Sequence, residues 1–218
     1  MKETNITLHT KLLKKNPLAY KRWFDEEKIF LRKDVKKDFR VLCVACGEGR
    51  EMDYIKDIAK EIFGIDHDKK AIAGAKKVFK IYKNVKLKLA DATNLPFANG
   101  YFDYVMCMTS FTNLGKNKIS VLNEMKRVVK NKGMLAVSAY SEDAMPERLK
   151  IYKSIASVVI KEIRKDGTVI FDKSIGDSIS EQFSREQLLV IFRKVKLKVL
   201  KIKKVGIGYI CKLQKVNK

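Results

Sequence analysis

The sequence predicts an α/β fold: a doubly wound, mostly parallel seven-stranded sheet with a C-terminal antiparallel strand pair, an N-terminal helical cap and a lid insert. Three observations predict it. Short apolar runs alternate with helical patterns between Phe39 and Tyr140, as parallel strands buried on both faces and joined by crossover helices do. A glycine-bearing turn follows the first of these runs and opens a helix. Two alternating segments, VKLKVLKI and GIGYICKLQ, come last and read as adjacent strands, which a short connection can join only in antiparallel fashion.

Residues 1–38 read as an amphipathic helical cap, with Leu18, Trp23, Phe24, Ile29, Phe30 and Leu31 set among charges. Phe39 to Ala45 is the first strand and Glu51 to Lys60 the next helix. Glu61 to Asp66 is the second strand, followed by helix from an N-capping Asp68 to about Lys80. Val85 to Ala90 and Tyr101 to Met108 are strands three and four. Helix resumes over Lys116 to Val129, and Gly133 to Tyr140 makes strand five. Glu142 to about Ile163 reads as helix, and Asp166-Gly167 as a hairpin turn between IKEIRK and TVIFDK. Ser184 to Gln187 is a capping box that opens a helix through Arg193. With no linker or repeat visible, residues 1–218 are expected to form one domain, with 142–183 as a lid or substrate insert.

Composition narrows the function. The chain has 218 residues, 46% hydrophobic and 33% charged, which suits a globular protein. No apolar run approaches the roughly 18 residues of a membrane span, and Met1 to Pro17 has no secretory apolar region, so a cytoplasmic protein is expected. Cys43, Cys46, Cys107 and Cys211 form no disulfide framework. The Cys43-x-x-Cys46 spacing lacks a second pair, and His9 and His67 are the only histidines, so no metal is expected. The net charge is +22. Its 38 lysines against 9 arginines, spread along the whole chain, are a poor match to planar phosphate or guanine recognition. Gln187 to Lys218 holds ten basic residues and no acid, so one end of the molecule is expected to be strongly positive.

Val41-Leu-Cys-Val-Ala-Cys-Gly-Glu-Gly-Arg50 is a strand-to-helix turn in which Gly47 and Gly49 allow positive φ and close approach of a ligand. Ala45 and Arg50 occupy the outer glycine positions of a dinucleotide loop, and no Gly-Lys-Ser/Thr follows, so a pyrophosphate is not the ligand. Asp66 ends the second strand nineteen residues after Gly47, where a carboxylate can accept both hydroxyls of a ribose. A nucleoside bearing a small carboxylate fits these residues.

At this point the sequence resembles the class I S-adenosylmethionine-dependent methyltransferases, a Rossmann-like superfamily. The resemblance covers roughly Phe39 to Gly133 and runs more loosely to Gln214. VLCVACGEGR is similar to the first motif, IFGIDHDKKAIAGAKK to the second, and LADATNLPFANGYFDYVMCMTSF to the third and fourth run together. VLNEMKRVVKNKGMLAVS resembles the helix and turn before strand five. The resemblance implies S-adenosylmethionine as cofactor. It places backbone around Ala45, Gly47 and Gly49 along the methionine moiety, Asp66 on the ribose and His67 beside the adenosine. Asp91 and the Ala92 N–H would meet the adenine, and Met108 and Thr109 the sulfonium side. Two departures stand out: Cys43 where the family usually has Asp, and Ala45 in place of the first glycine.

Each residue also has a plainer role open to it. Asp91 would serve as a turn cap, His67 as a surface helix residue, and Met108, Tyr20 and Trp23 as core. Methyl transfer needs positioning more than a universal catalytic residue, so none is assigned. Asn113 and Tyr140 are the candidates for acceptor contact, and Gln182 and Phe183 are placed toward the site by position alone. A small-molecule acceptor is expected, because no RNA-binding module is visible. The alternative is an RNA- or protein-directed enzyme using the basic C-terminal edge, and a purely binding role comes third.

Overall fold

The computed structural model describes residues 17–155, 158–172 and 179–216. Residues 1–16 of the expected cap therefore lie outside the described residues, as do 156–157 and 173–178 of the insert. Helix α1 (Leu18–Asp34) buries Tyr20, Trp23, Phe24, Glu27 and Leu31, a stripe at three- and four-residue spacing. The alternating core follows as β1 (Arg40–Val44), α2 (Arg50–Ile55), β2 (Glu61–Asp66), α3 (Lys69–Val78), β3 (Val85–Leu89), β4 (Phe102–Cys107), α4 (Lys118–Val128) and β5 (Val129–Ser141). The insert contributes α5 (Met145–Ser154), β6 (Ile160–Ile163), β7 (Val169–Phe171), β8 (Ile179–Ser180) and β9 (Gln182–Phe183). Helix α6 (Arg185–Lys194), with the expected capping box, then leads into β10 (Leu197–Val205) and β11 (Gly208–Lys215).

The main sheet runs β10-β11-β5-β4-β1-β2-β3. Strands β1 to β5 pair in parallel, and β11 runs antiparallel to both β5 and β10. This is the expected mostly parallel sheet with its antiparallel pair. Strand β9 adds a short parallel pairing to β5, and β6-β7-β8 form a separate antiparallel sheet. Because strand residues alternate faces, two cores form. Cys43, Met106 and Ala136 pack under α1, α2 and α3, while Leu42, Val105 and Leu135 pack under α4 and α6. Chain order reverses between β1 and β4, so a crevice opens beyond their carboxyl ends, where such sheets bind ligands.

Three elements differ from expectation. Strand β5 starts at Val129 rather than Gly133, because the Lys130–Gly133 turn is absorbed as an irregularity between the Phe102 and Tyr104 pairings, with Lys132 at φ 60°. Helix α2 stops at Ile55 rather than running to Lys60; the Asn84 side-chain amide donates to Lys56 O and Ala59 O and holds the exit. The expected helix from Glu142 to Ile163 is only Met145–Ser154, and the β-branched Val158, Val159 and Ile160 run into β6 instead. Among the described residues no helix is long and apolar enough to cross a membrane.

Candidate functional site

The turn after β1 sets the geometry. Ala45, Gly47 and Gly49 all have positive φ, at 52°, 54° and 93°. The two glycines do different jobs. A Cβ on Gly49 would lie 2.3 Å from the Phe79 ring, so Gly49 is needed for packing. A Cβ on Gly47 would meet nothing within 4 Å, so the space above its backbone is open. Asp66, at the end of β2, is buried beside it. Its Oδ2 accepts from Gly47 N at 2.8 Å and its Oδ1 from Asp68 N at 2.9 Å, which fixes the carboxylate and leaves each oxygen further acceptor capacity.

His67 is exposed, with Nδ1 3.7 Å from Asp66 Oδ1. Asp91, beyond β3, is exposed and accepts from Thr93 N at 2.8 Å. That bond holds its carboxyl below the usual range, and His67 contributes to the same shift, so these two residues share one rim. Asp91 thus does cap the following turn. Ala92 is half-buried next to it.

Beyond β4 the chain makes a tight γ-turn in which Ser110 N donates to Met108 O at 2.5 Å. Its central residue, Thr109, has φ 57° and ψ −46°, a strained conformation for a β-branched residue. Thr109 N donates to Ser138 Oγ at 2.6 Å, and Ser110 Oγ to Ala45 O at 3.0 Å, so the β1, β4 and β5 ends are tied together. Met108 is packed in the core.

A buried charged cluster sits at this junction. Arg50, the first residue of α2, contacts Glu51 Oε1 and lies 2.8 Å from Glu27 Oε2 of α1. Its Nη2 also donates to Thr109 Oγ1 at 3.0 Å, and its guanidinium stacks 3.7 Å from the Phe24 ring centroid. Ser138 Oγ and Thr109 Oγ1 donate to Glu27 Oε1. Burial pushes the Glu27 carboxyl up to about 7 against the opposing pull of Arg50. Burial alone would depress the Arg50 guanidinium, but Glu51 and Glu27 more than offset it and hold it above its ordinary value. Among the described residues, Arg50 Nη1 and Glu27 Oε2 have no hydrogen-bond partner.

The acceptor candidates lie in the turn after β4 and on β5. Asn113 is half-buried and its Oδ1 accepts from Thr112 Oγ1 at 3.1 Å. Tyr140 is buried; its hydroxyl accepts from Tyr20 at 3.1 Å and its ring packs against Trp23 and Arg148. Tyr20 and Trp23 are core residues. Arg148, fully buried in α5, uses every N–H it has: Nε to Tyr152 OH, Nη1 to Gly167 O and Gln182 Oε1, Nη2 to Ser180 O and Oγ. It pins the insert together. Gln182 is thus spent on Arg148 and on Glu142 O, and Phe183 packs in the core. Cys43 and Cys46 are buried free thiols that burial pushes well above their ordinary range, and among the described residues no His, Cys, Asp or Glu group is placed to hold a metal.

Sequence reading missed Glu27, Arg50, Glu51 and Ser138. The one available signal was the position of Glu27, four residues from Trp23 and from Leu31, which puts a carboxylate in the middle of an apolar stripe.

Residues 42–137 match the methyltransferase domain family. A demethylmenaquinone methyltransferase of Staphylococcus haemolyticus is 32% identical over 142 residues, covering 60% of this chain and 57% of that one. The chain spans less than two thirds of the length of the curated relatives it matches. A solved Pyrococcus horikoshii protein superposes with a TM-score of 0.71 at 24% identity, covering 92% of each chain. The Burkholderia thailandensis 1,6-didemethyltoxoflavin-N1-methyltransferase, solved with 1,6-didemethyltoxoflavin and S-adenosylhomocysteine, superposes at 0.69 with 11% identity, covering 94% of this chain and 81% of that one. These structures share the fold.

Proposed function

We propose that this chain is a class I S-adenosylmethionine-dependent methyltransferase and that it transfers a methyl group to a small-molecule acceptor. The observation that carries the reading is the open space over Gly47 beside a carboxylate, Asp66, already fixed by two backbone N–H groups. When bound, S-adenosylmethionine supplies an electrophilic methyl group on sulfur. Asp66 would take the ribose hydroxyls, with Ala45, Gly47 and Gly49 along the methionine moiety. Asp91 and the Ala92 N–H would meet the adenine, with His67 beside it. Met108 and Thr109 would border the sulfonium.

Displacement at a methyl carbon gains most from alignment and exclusion of water. The tied ends of β1, β4 and β5 supply a rigid floor. The described part of the 142–183 insert, stapled by Arg148, is the proposed lid, and helix α1 the described part of the proposed cap, of one domain. Asn113 is the proposed acceptor contact, and Tyr140 would act as the wall behind it.

A small acceptor is supported by the quinone-directed relative and by the toxoflavin enzyme of the same fold. The basic C-terminal edge has a simpler role. Strands β3 and β10 are the sheet's edges, and their exposed lysines block edge-to-edge pairing. Lys203, Lys204 and Lys212 are moreover paired with Glu26, with Glu142 and Asp143, and with Asp34. Buried free thiols suit a reducing compartment, so we place the protein in the cytoplasm.

The test is transfer of labelled methyl to demethylmenaquinone and to a low-molecular-weight extract of the source cells, beside total RNA. Label in the small-molecule arms is expected. Label confined to RNA, and lost when Lys196, Lys198, Lys201 and Lys203 become Gln, would overturn the acceptor class.

A further inference from the structure

The connection from β3 to β4 carries no helix. Residues 90–101 run as turns, so the face of the sheet that α4 and α6 cover over β4, β5 and β11 has no crossover helix beside β2 and β3. A group of half-buried rings stands there instead. Phe63 of β2 meets Phe97 at 5.7 Å and Tyr101 at 5.8 Å, both edge-on, and Phe97 and Tyr101 lie nearly parallel. Beside these rings opens a cavity of about 350 Å³, lined by Phe63, Gly64, Lys86, Leu87, Lys88 and Phe97.

Its rim is positively charged. Lys86 stands opposite Phe63 and Lys88 opposite Ile65 in the parallel register, so both lysines project from the ring-bearing face. Lys86 is committed: its ammonium lies 5.0 Å from the centroid of the Phe63 ring and 2.7 Å from Glu61 Oε1. Glu61 also accepts from Arg40 at 2.8 Å, and Arg40 lies over the Tyr101 ring. Lys86 holds the Glu61 carboxyl below its usual range, so that acid stays ionised. Lys88 is exposed and has no ion-pair partner among the described residues. Three cations, Arg40, Lys86 and Lys88, thus face the single carboxylate of Glu61.

Size and chemistry restrict the occupant. Small-molecule sites measure roughly 300–1,000 Å³ and are lined by apolar and aromatic groups with a few polar ones, and this groove fits the small end of that range. A stable protein partner covers roughly 800 Å² per side, and the lysines on the β3 edge oppose addition of a strand. Phenylalanine rings favour a flat aromatic body, through offset or edge-to-face contact. The uncommitted ammonium of Lys88 favours an anion at its edge. The wall is fixed in advance, because Arg127 donates to Phe97 O and Leu95 O while Glu124 accepts from Leu95 N. A preformed wall lowers the cost of binding.

We propose that this groove is a second ligand site, which takes a small aromatic carboxylate with its ring against Phe63 and Phe97 and its carboxylate on Lys88. It is distinct from the crevice beyond the carboxyl ends of β1 and β4, since Lys86 and Lys88 pair with the body of β2.

The probe is 2-naphthoate, and its comparison is 2-naphthamide, which keeps the ring system and lacks the charge. Ligand-observed NMR titration of the wild-type chain should give a dissociation constant for 2-naphthoate of about 0.1–1 mM, the order expected for a ligand of this size. The amide should bind about 3- to 10-fold more weakly, the range of one partly exposed charged contact. Lys88→Gln should weaken 2-naphthoate by the same factor and leave the amide unchanged. Phe97→Ser should weaken both. Lys198→Gln, on the opposite edge strand β10, should change neither, and excess S-adenosylhomocysteine should not displace the probe. Absence of binding to wild type at several-fold these concentrations would overturn the proposal. So would an amide that binds as tightly as the carboxylate, or equal losses in Lys88→Gln and Lys198→Gln. Displacement by S-adenosylhomocysteine would move the probe into the crevice and end the case for a second site.

Discussion

Two regions of the molecule are built in opposite ways. On the proposed adenosine side Asp66, His67 and Asp91 sit at the ends of β2 and β3, His67 and Asp91 exposed, and the Asp66 and Asp91 carboxylates are anchored by backbone N–H groups within their own turns or the adjoining glycine loop. At the α1–α2 junction Glu27, Arg50 and Glu51 are buried between two helices and a strand, and two of their polar atoms lack hydrogen-bond partners among the described residues. The first region is rigid and nearly satisfied before a ligand arrives. The second is held in an unfavourable electrostatic state that the fold around it must support. Exposed polar rims cost little stability and buried charged clusters cost a good deal, so perturbing the two regions should separate stability from affinity.

The largest effect is expected from Arg50→Met. It removes the guanidinium from the cluster and leaves Glu27 buried with only its hydroxyl donors and Glu51 buried without its Arg50 contact. Breaking a buried ion pair from one side typically costs about 3–5 kcal/mol. Urea unfolding should show a loss of that order. A loss under about 1 kcal/mol would mean the acids can reach water, and the contrast between the regions would be gone.

The pH dependence of stability comes next. The Glu27 carboxyl titrates ordinarily near 4.5 and, buried in the folded protein, near 7. Between those values the folded protein holds a proton that the unfolded chain has lost. The contribution of Glu27 is therefore fully favourable below about pH 4.5 and falls as pH rises through 7, by about 3 kcal/mol in all. Glu27→Gln should flatten this slope and make the ligand-free protein more stable than wild type at pH 8. Thermal melts of both proteins from pH 5 to pH 8 measure it; parallel curves would refute the burial effect.

Asp66→Ala is expected to act on affinity. Losing the proposed ribose acceptor should weaken S-adenosylhomocysteine by about 1.5–3 kcal/mol, with a smaller change in stability because the Gly47 N–H it frees faces the open space beside the turn. Calorimetry and melting on the same sample separate the two. A variant that binds like wild type would remove Asp66 from the site.

The same division explains what could be read from the sequence. Asp66 was legible because its partner Gly47 is nineteen residues away in the same β-α-β unit, and local periodicity fixes both. Strands β1 to β4 and the capping box of α6 were legible for the same reason. Glu27 meets Ser138 across 111 residues of chain, and in a helix rich in charge its burial depends on which face docks against β5, a tertiary fact. The Lys130–Gly133 irregularity in β5 and the short α5 were misjudged because strand pairing and β-branched packing outweighed local turn and helix signals. Thr109 was placed in the site by resemblance, but its strained γ-turn has no marker in a sequence that carries no glycine there.

The smallest effect, and the sharpest comparison, concerns Ala45 and Gly47. They have nearly the same backbone, φ 52° and 54°, in the same turn. A side chain in that conformation costs roughly 1–2 kcal/mol, while glycine costs up to about 1 kcal/mol more chain entropy on folding. Ala45 remains in place because Cys46 N is fixed to Ile65 O and Ala45 O to the Ser110 hydroxyl. Ala45→Gly should therefore raise stability by about 0–1 kcal/mol and leave nucleoside affinity unchanged, since the turn is already held. Gly47→Ala should lower stability by a similar small amount, because its Cβ meets no protein atom within 4 Å and only the backbone strain is added. Its effect on binding should be far larger than on folding, because that Cβ points into the space assigned to the cofactor. Equal nucleoside affinity in Gly47→Ala and wild type would show that the open space above Gly47 is not where the cofactor lies.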